Sequence, residues 1–271
     1  MPARTMNHSM KHLLTCLAAI VLSLLASCRS VPYTGRTQLM LTPASYEQKL
    51  GLSSYKEYKE ENKLSTHAEY NAAIKRCGDA IVSVAGQNDF EWEFVLFESK
   101  NQNAFCLPGG KVAVYSGIMD LMQTEAELAF VLSHEIAHAI ARHGGERMSW
   151  GYLKTAGGSL IGAVTGSSAA GTLFNKSTEY GVMLPFSRGN EYEADRIGML
   201  LMAKAGYQPQ AAIQFWTRFT EGSEQSALDG MMSTHPRDED RINAMKENLA
   251  EAEAAYAAAA VKRGAGAAFS R

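Results

Sequence analysis

Two histidines four residues apart, His134 and His138, flank Glu135 in the apolar run ELAFVLSHEIAHAIARH, whose periodicity is helical. On a helix turning about 100° per residue the two imidazoles stand roughly 40° apart and one turn from each other, so both can reach one ion. Zinc suits such a pair, and Glu135 projects beside the metal, where a carboxylate can take a proton from water. A catalytic zinc needs a third protein donor and an open position. On a continuous helix His143 fails this test: nine residues after His134 it points about 180° away and reads as a packing or surface histidine. Better candidates stand in Asn190-Glu191-Tyr192-Glu193-Ala194-Asp195, where Glu191 and Asp195 share a helical face and Glu193 is turned away. One of these acids would supply the third donor and the other a hydrogen-bond partner for a ligating imidazole. Without that role the stretch is only a charged helix surface.

The elements that must position these side chains follow from pattern. Residues 44–63 and 65–84 read as helices, the second closed by Gly86. Residues 90–97 alternate as a strand, and 111–115 form a second strand after the turn Pro108-Gly109-Gly110, which together suggest a small antiparallel sheet. Residues 124–148 read as one long helix with Thr124 as N-cap. Residues 191–205, 208–220 and 236–260 complete the helices, and 264–271 read as disordered. From 155 to 174 there is no charge, yet five glycines and several Ser and Thr leave little apolar surface. This composition suits a mobile loop or loose helical hairpin beside the site better than a membrane span, although Gly162 and Gly166 have GxxxG spacing. The fold class is α+β, mainly helical.

The N-terminus carries an address. Residues 1–12 hold Arg4 and Lys11 and no acid, and 13–27 form a 15-residue uncharged run ending Leu25-Ala26-Ser27 before Cys28. A membrane-spanning helix needs about 20 apolar residues, so the run fits a signal segment better than a permanent anchor. The small residues before Cys28 resemble the lipobox of bacterial lipoproteins, which implies cleavage before Cys28, acylation of its thiol and a membrane tether. Arg29 in place of Asp resembles lipoproteins sent to the outer membrane. Residues 1–27 remove two of the 26 basic residues and none of the 28 acidic ones, so the remainder is acidic and nucleic acid is excluded as a partner. The rest is long enough for one sizeable core. Cys77 and Cys106 remain as an exported pair that could oxidise to a disulfide.

HEIAHAIARH followed some fifty residues later by EYEAD resembles the HExxH zinc metalloendopeptidase family, a gluzincin group that includes the CAAX prenyl protease, HtpX, LoiP and BepA, and within it the bacterial lipoprotein members such as LoiP. The likeness runs from Thr34-Gly35-Arg36 through NAFCLPGGKVAVYSG and SRGNEYEADRIG to STHP. It implies a zincin-like metalloprotease domain with one zinc ion held by His134, His138 and Glu191, Glu135 as general base and Asp195 behind a ligand. Cys106 departs from the small residue that the pattern has after NAF. The same likeness makes Gly110, Lys111, Val112, Ala113 and Val114 an edge strand along which an extended peptide lies. It also turns His235, in Ser233-Thr234-His235-Pro236, toward the zinc, either to stabilise the oxyanion or to fill the fourth ligand position and keep the enzyme latent. Arg241 is a weaker candidate for that neighbourhood.

The expected organisation is a lipoprotein signal peptide at 1–27, a lipid-attached spacer and helix at 28–64, the metallopeptidase domain at 65–247 and an alanine-rich helix end with a disordered tail at 248–271. The expected function is zinc-dependent cleavage of unfolded or misassembled proteins, as quality control in the bacterial cell envelope. The chain would be tethered through Cys28, on the periplasmic face of the outer membrane. A zinc-containing chaperone or assembly factor, latent at its metal, is the alternative.

Overall fold

The computed structural model describes residues 27–165, 188–221, 231, 235 and 239–269, with the backbone alone for 157–165, 221 and 239. A hairpin of β1 (Cys28–Ser30) and β2 (Thr37–Leu39) precedes α1 (Ala44–Glu61) and α2 (Ala68–Ala85), which ends at Gly86 in the left-handed conformation. Three strands follow, β3 (Glu93–Phe97), β4 (Ala104–Leu107) and β5 (Lys111–Tyr115), then the short α3 (Ser116–Met119). The helical body is α4 (Glu125–Ile140), α5 (His143–Thr165), α6 (Arg188–Lys204), α7 (Gln210–Glu221) and α8 (Glu239–Ala258).

The sheet differs from the antiparallel pair expected. Its order is β3-β5-β4: β5 runs parallel to β3, with Glu93 opposite Lys111 and Phe97 opposite Tyr115, and antiparallel to β4. β4 is four residues long, too short for alternation to announce it. It turns into β5 through Gly109 and Gly110, at φ +88 and +85. A side chain at Gly110 would also meet the Trp92 ring at 2.9 Å. β5 is therefore central and buried at every residue.

Every residue of α4 is buried, because α6, α7, α2 and the sheet surround it. Gly198 lets α6 lie against the backbone of His134, where a β-carbon would come within 3.0 Å of the amide nitrogen. The helix expected over 124–148 is two helices. Ala141 ends α4, Arg142 takes φ +55, and its guanidinium holds the break by bonding Glu47 Oε2 at 3.0 Å and the Thr42 carbonyl at 2.9 Å.

The segments at 31–43 and 264–269 are better packed than composition suggests. Residues 31–43, read as a spacer, hold Val31 in the core, and Gln38 donates to the Ala141 carbonyl at the end of α4. Residues 264–269, read as disordered, strap the start of α4. The carbonyls of Ala267 and Ala265 accept the free N–H groups of Glu125 and Ala126, which the Thr124 side chain leaves without a cap. Phe269 packs edge-on against Tyr70. Of the uncharged stretch 155–174, α5 takes the first part to Thr165; residues 166–174 lie outside the described residues, as does the signal segment up to 26. Among the described residues no helix is long and apolar enough to cross a membrane.

Candidate metal centre and active site

Two turns of α4, one of α6 and the segment before α8 converge on a point. His134, His138, Glu191 and His235 each aim a donor atom at it, all within 4.8 Å of one another, and all four are buried. His134 Nε2 lies 3.1 Å from His138 Nε2 and 3.3 Å from His235 Nδ1. Glu191 Oε2 is 3.0 Å from His235 Nδ1 and 3.5 Å from His134 Nε2, and its Oε1 is 3.5 Å from His138 Nε2. Tetrahedral zinc, with bonds of about 2.0–2.1 Å, sets its donors about 3.3 Å apart. The cage fits that ion in both donor chemistry and spacing, with His235 as its fourth corner.

Glu135 faces the same point, with Oε1 3.4 Å from His235 Nε2. Burial raises its pKa, which makes it a stronger base than an exposed glutamate. Glu191 stays ionised well below the usual range despite burial, because His235, His134 and His138 surround it. For His134, burial works against a charge, yet Asp195 and Glu191 hold its pKa up, at about 9. This is a site that draws in positive charge.

Each histidine of α4 has a partner at its other ring nitrogen. His134 Nδ1 lies 2.9 Å from Asp195 Oδ1, the arrangement expected of an acid one turn after Glu191. Arg241 then grips both oxygens of Asp195 at 2.8 Å, reaches Glu191 Oε2 at 2.9 Å, and stacks 4.0 Å over the Trp216 ring. Burial opposes the charge of Arg241, and Asp195 and Glu191 outweigh it. His143, expected to pack or lie at the surface while pointing away from the metal, is buried and faces the site. The left-handed Arg142 starts a new helix and returns the imidazole to the site, with Nδ1 2.8 Å from His138 Nδ1 and Nε2 3.0 Å from Glu193 Oε2. Glu193, read as turned away, is thus part of the same network. The glycines at 144 and 145, directly after Arg142, are the sequence signal for that break.

A cavity of about 260 Å³ opens beside the cage, lined by Glu135, His138, His235, the β4 residues Ala104–Leu107, Leu50 and Tyr58 of α1, and Arg147 of α5. The peptide-binding edge expected over Gly110–Val114 is not an edge. Lys111, Val112, Ala113 and Val114 are bonded to strands on both sides, so no further chain can add there. The sheet edge that lines the cavity is β4. Cys106 sits on it, a free thiol whose pKa is driven well up by burial and by Glu135. Cys77 is also free, packed against Tyr207, so the two form no disulfide.

Fold and site together define a zinc metalloendopeptidase of the HExxH type, with its metal cage buried between two packed helices. The chain belongs to Peptidase family M48, which it matches over residues 68–249. It is 34% identical over 228 residues to the mitochondrial metalloendopeptidase OMA1 of Schizosaccharomyces pombe, covering 82% of this chain and 67% of that protein. The putative beta-barrel assembly-enhancing protease of Vibrio cholerae is 35% identical over 186 residues, 65% of this chain and 38% of that protein. Metalloendopeptidase OMA1 of Homo sapiens is 30% identical over 239 residues, 82% of this chain and 46% of that protein. The chain thus spans about two thirds of the yeast relative and less than half of the other two.

Proposed function

We propose that this chain cleaves peptide bonds within unfolded or misassembled proteins of the bacterial cell envelope, held to the membrane through an acylated Cys28. The four-donor cage with Glu135 beside it, opening on a groove edged by β4, carries the reading of the site. His134, His138 and Glu191 hold the zinc, Asp195 orients His134, and Glu135 is the general base. Bound zinc supplies the positive charge that polarises the scissile carbonyl and acidifies water toward neutrality. Glu135 accepts the proton from the attacking water and returns it to the departing amine. An extended peptide would add antiparallel to β4, whose outer backbone groups hold any sequence in register. Similarity to the putative beta-barrel assembly-enhancing protease of Vibrio cholerae and the lipobox-like run before Cys28 support the envelope, on the periplasmic side of the outer membrane.

His235 gives a second reading its footing. With Nδ1 at the fourth corner it fills the position that a substrate or water needs, so the resting enzyme is closed and His235 must leave for turnover. A latent zinc-containing chaperone would share this geometry. Casein digestion by the mature protein beside its Glu135→Gln variant, with zinc measured on both, separates the two. The protease reading expects zinc retained and cleavage lost in the variant. Equal client binding by both forms with no cleavage by either would favour the chaperone. Labelled palmitate entering the wild type but not Cys28→Ser tests the tether.

A further inference from the structure

The matched family segment begins at residue 68, yet side chains from residues 34 and 36 reach the network behind the cage. Arg36, between β1 and β2, donates through Nη1 and Nη2 to the two oxygens of Glu146 at 2.8 and 2.7 Å, and through Nε to Glu193 Oε2 at 2.8 Å. Thr34 Oγ1 donates to the other oxygen of Glu193. Glu193 Oε2 also accepts from His143 Nε2, whose Nδ1 meets His138 Nδ1. Only two side chains separate Arg36 from a candidate zinc ligand.

Proton positions along this chain are fixed by logic. His138 can offer Nε2 to a metal only if its proton is on Nδ1. That N–H needs an acceptor, and the atom 2.8 Å away is His143 Nδ1, which accepts only if its own proton is on Nε2. The Glu193 carboxylate keeps that proton there, and Thr34 and Arg36 fix the carboxylate in place. Were Glu193 to turn away, the His143 proton could move to Nδ1, and two N–H groups would then oppose each other across 2.8 Å.

We infer that the β1–β2 hairpin is part of the metal site: Arg36 and Thr34 are positioning residues that act through Glu193 and His143 to set the tautomer of His138 and so the affinity for zinc. The inference rests on the reading of His134, His138 and Glu191 as ligands. The hairpin is rigidly seated for this task. Tyr33 donates to the Ala85 carbonyl at 3.0 Å, Gln38 to the Ala141 carbonyl at 2.9 Å, and Lys204 lies over the Tyr33 ring. Because β1 begins at Cys28, the proposed attachment point and the outer part of the metal site share one hairpin.

Zinc affinity, measured by competition with a chromophoric chelator, tests the relay without reference to turnover. Partners of a ligating imidazole typically contribute about 10–100-fold to metal affinity, so His143→Ala should weaken zinc binding by that much and Arg36→Ala by about tenfold. Thr34→Val, a smaller change that serves if Arg36→Ala does not fold, should weaken it several-fold. Arg36→Ala made on top of His143→Ala should cost no further affinity, since the path is already cut. If Arg36→Ala and Thr34→Val stay within twofold of wild type while only lowering the melting temperature of chelator-treated protein, the hairpin is merely structural and the inference fails. His134→Ala should abolish binding. A wild type that holds no stoichiometric zinc, or a His134→Ala variant that holds it normally, overturns the ligand reading, whereas a zinc-loaded wild type with unaffected hairpin variants overturns the relay alone.

Discussion

Replacing Arg241 with alanine tests whether the cage is held by its buried arginine. The guanidinium is 1% exposed and serves two acids at once, Asp195 through a bidentate pair and Glu191 through Nη1, while its face covers Trp216. Its loss leaves two buried carboxylates without their fixed cation, the situation in which breaking a buried pair costs about 3–5 kcal/mol. The contact with Trp216 adds up to about 2 kcal/mol. For a domain of this size each kcal/mol lowers the melting temperature by about 2–4 °C, so Arg241→Ala should melt about 6–28 °C lower. Calorimetry in excess chelator and in excess zinc gives a second criterion. The ion supplies part of the missing positive charge, so the deficit should shrink with zinc present. Arg241→Lys should recover little, because an ammonium cannot reproduce the fork on Asp195 or the stacked face. A loss under about 2 °C in chelator, or a deficit equal in both conditions, would refute this account of the cage.

Three further outcomes follow from single positions. His235→Ala should raise casein hydrolysis roughly ten- to hundredfold, since a hydrogen bond to a charged partner such as Glu191 is worth about 1.5–3 kcal/mol and each 1.4 kcal/mol is tenfold; a collapse of activity would instead make His235 a transition-state group. Burial pushes the Cys77 thiol up to about 12 from 9.0. The stability this confers is complete below about pH 9 and fades as pH rises toward 12, so urea midpoints should decline across that window in the wild type and less in Cys77→Ala. Gly264 and Gly266 both have positive φ, at +63 and +69, but a β-carbon meets nothing at 264 and lies 2.5 Å from Glu125 Cβ at 266. Alanine at 264 should cost about 1 kcal/mol and at 266 clearly more, as measured by thermal melts; equal losses would mean the strap does not press on α4.

The inner site was legible because its spacing is helical. His134 and His138 on one turn, and Glu191 with Asp195 on another, need only 3.6 residues per turn to find each other, and the apolar residues around them announce buried helices. What escaped depends on breaks in that periodicity. His143 was misplaced because one residue in the left-handed conformation reverses the direction predicted for everything after it. β4 escaped because four residues between an Asn-rich turn and two glycines carry no period, and the edge role given to 110–114 rests on the family likeness rather than on any pattern in this chain. The strap at 264–269 binds through backbone groups and the close approach of Gly266 to Glu125, which composition reads as looseness, and the hairpin at 28–39 is held by side chains of Thr34, Arg36 and Gln38 whose partners lie more than a hundred residues away.

Charge explains why so much of the chain is devoted to this one point. Glu135, Glu191 and Asp195 are all buried around imidazoles that are neutral when they ligate, and among the described residues facing them Arg241 is the cation fixed between two of them. Three carboxylates against Arg241, with Arg147 farther off beside the cavity, leave an excess of negative charge in a place where an isolated charge is expensive. A divalent ion removes that excess, so the buried acids that would otherwise destabilise α4 and α6 become the reason these helices stay together when the metal is bound. Glu193 lies outside this balance, because Arg36 and His143 answer it from the other side. The inner acids are matched to a metal, the outer acid to the hairpin, and His138 is where the two networks meet.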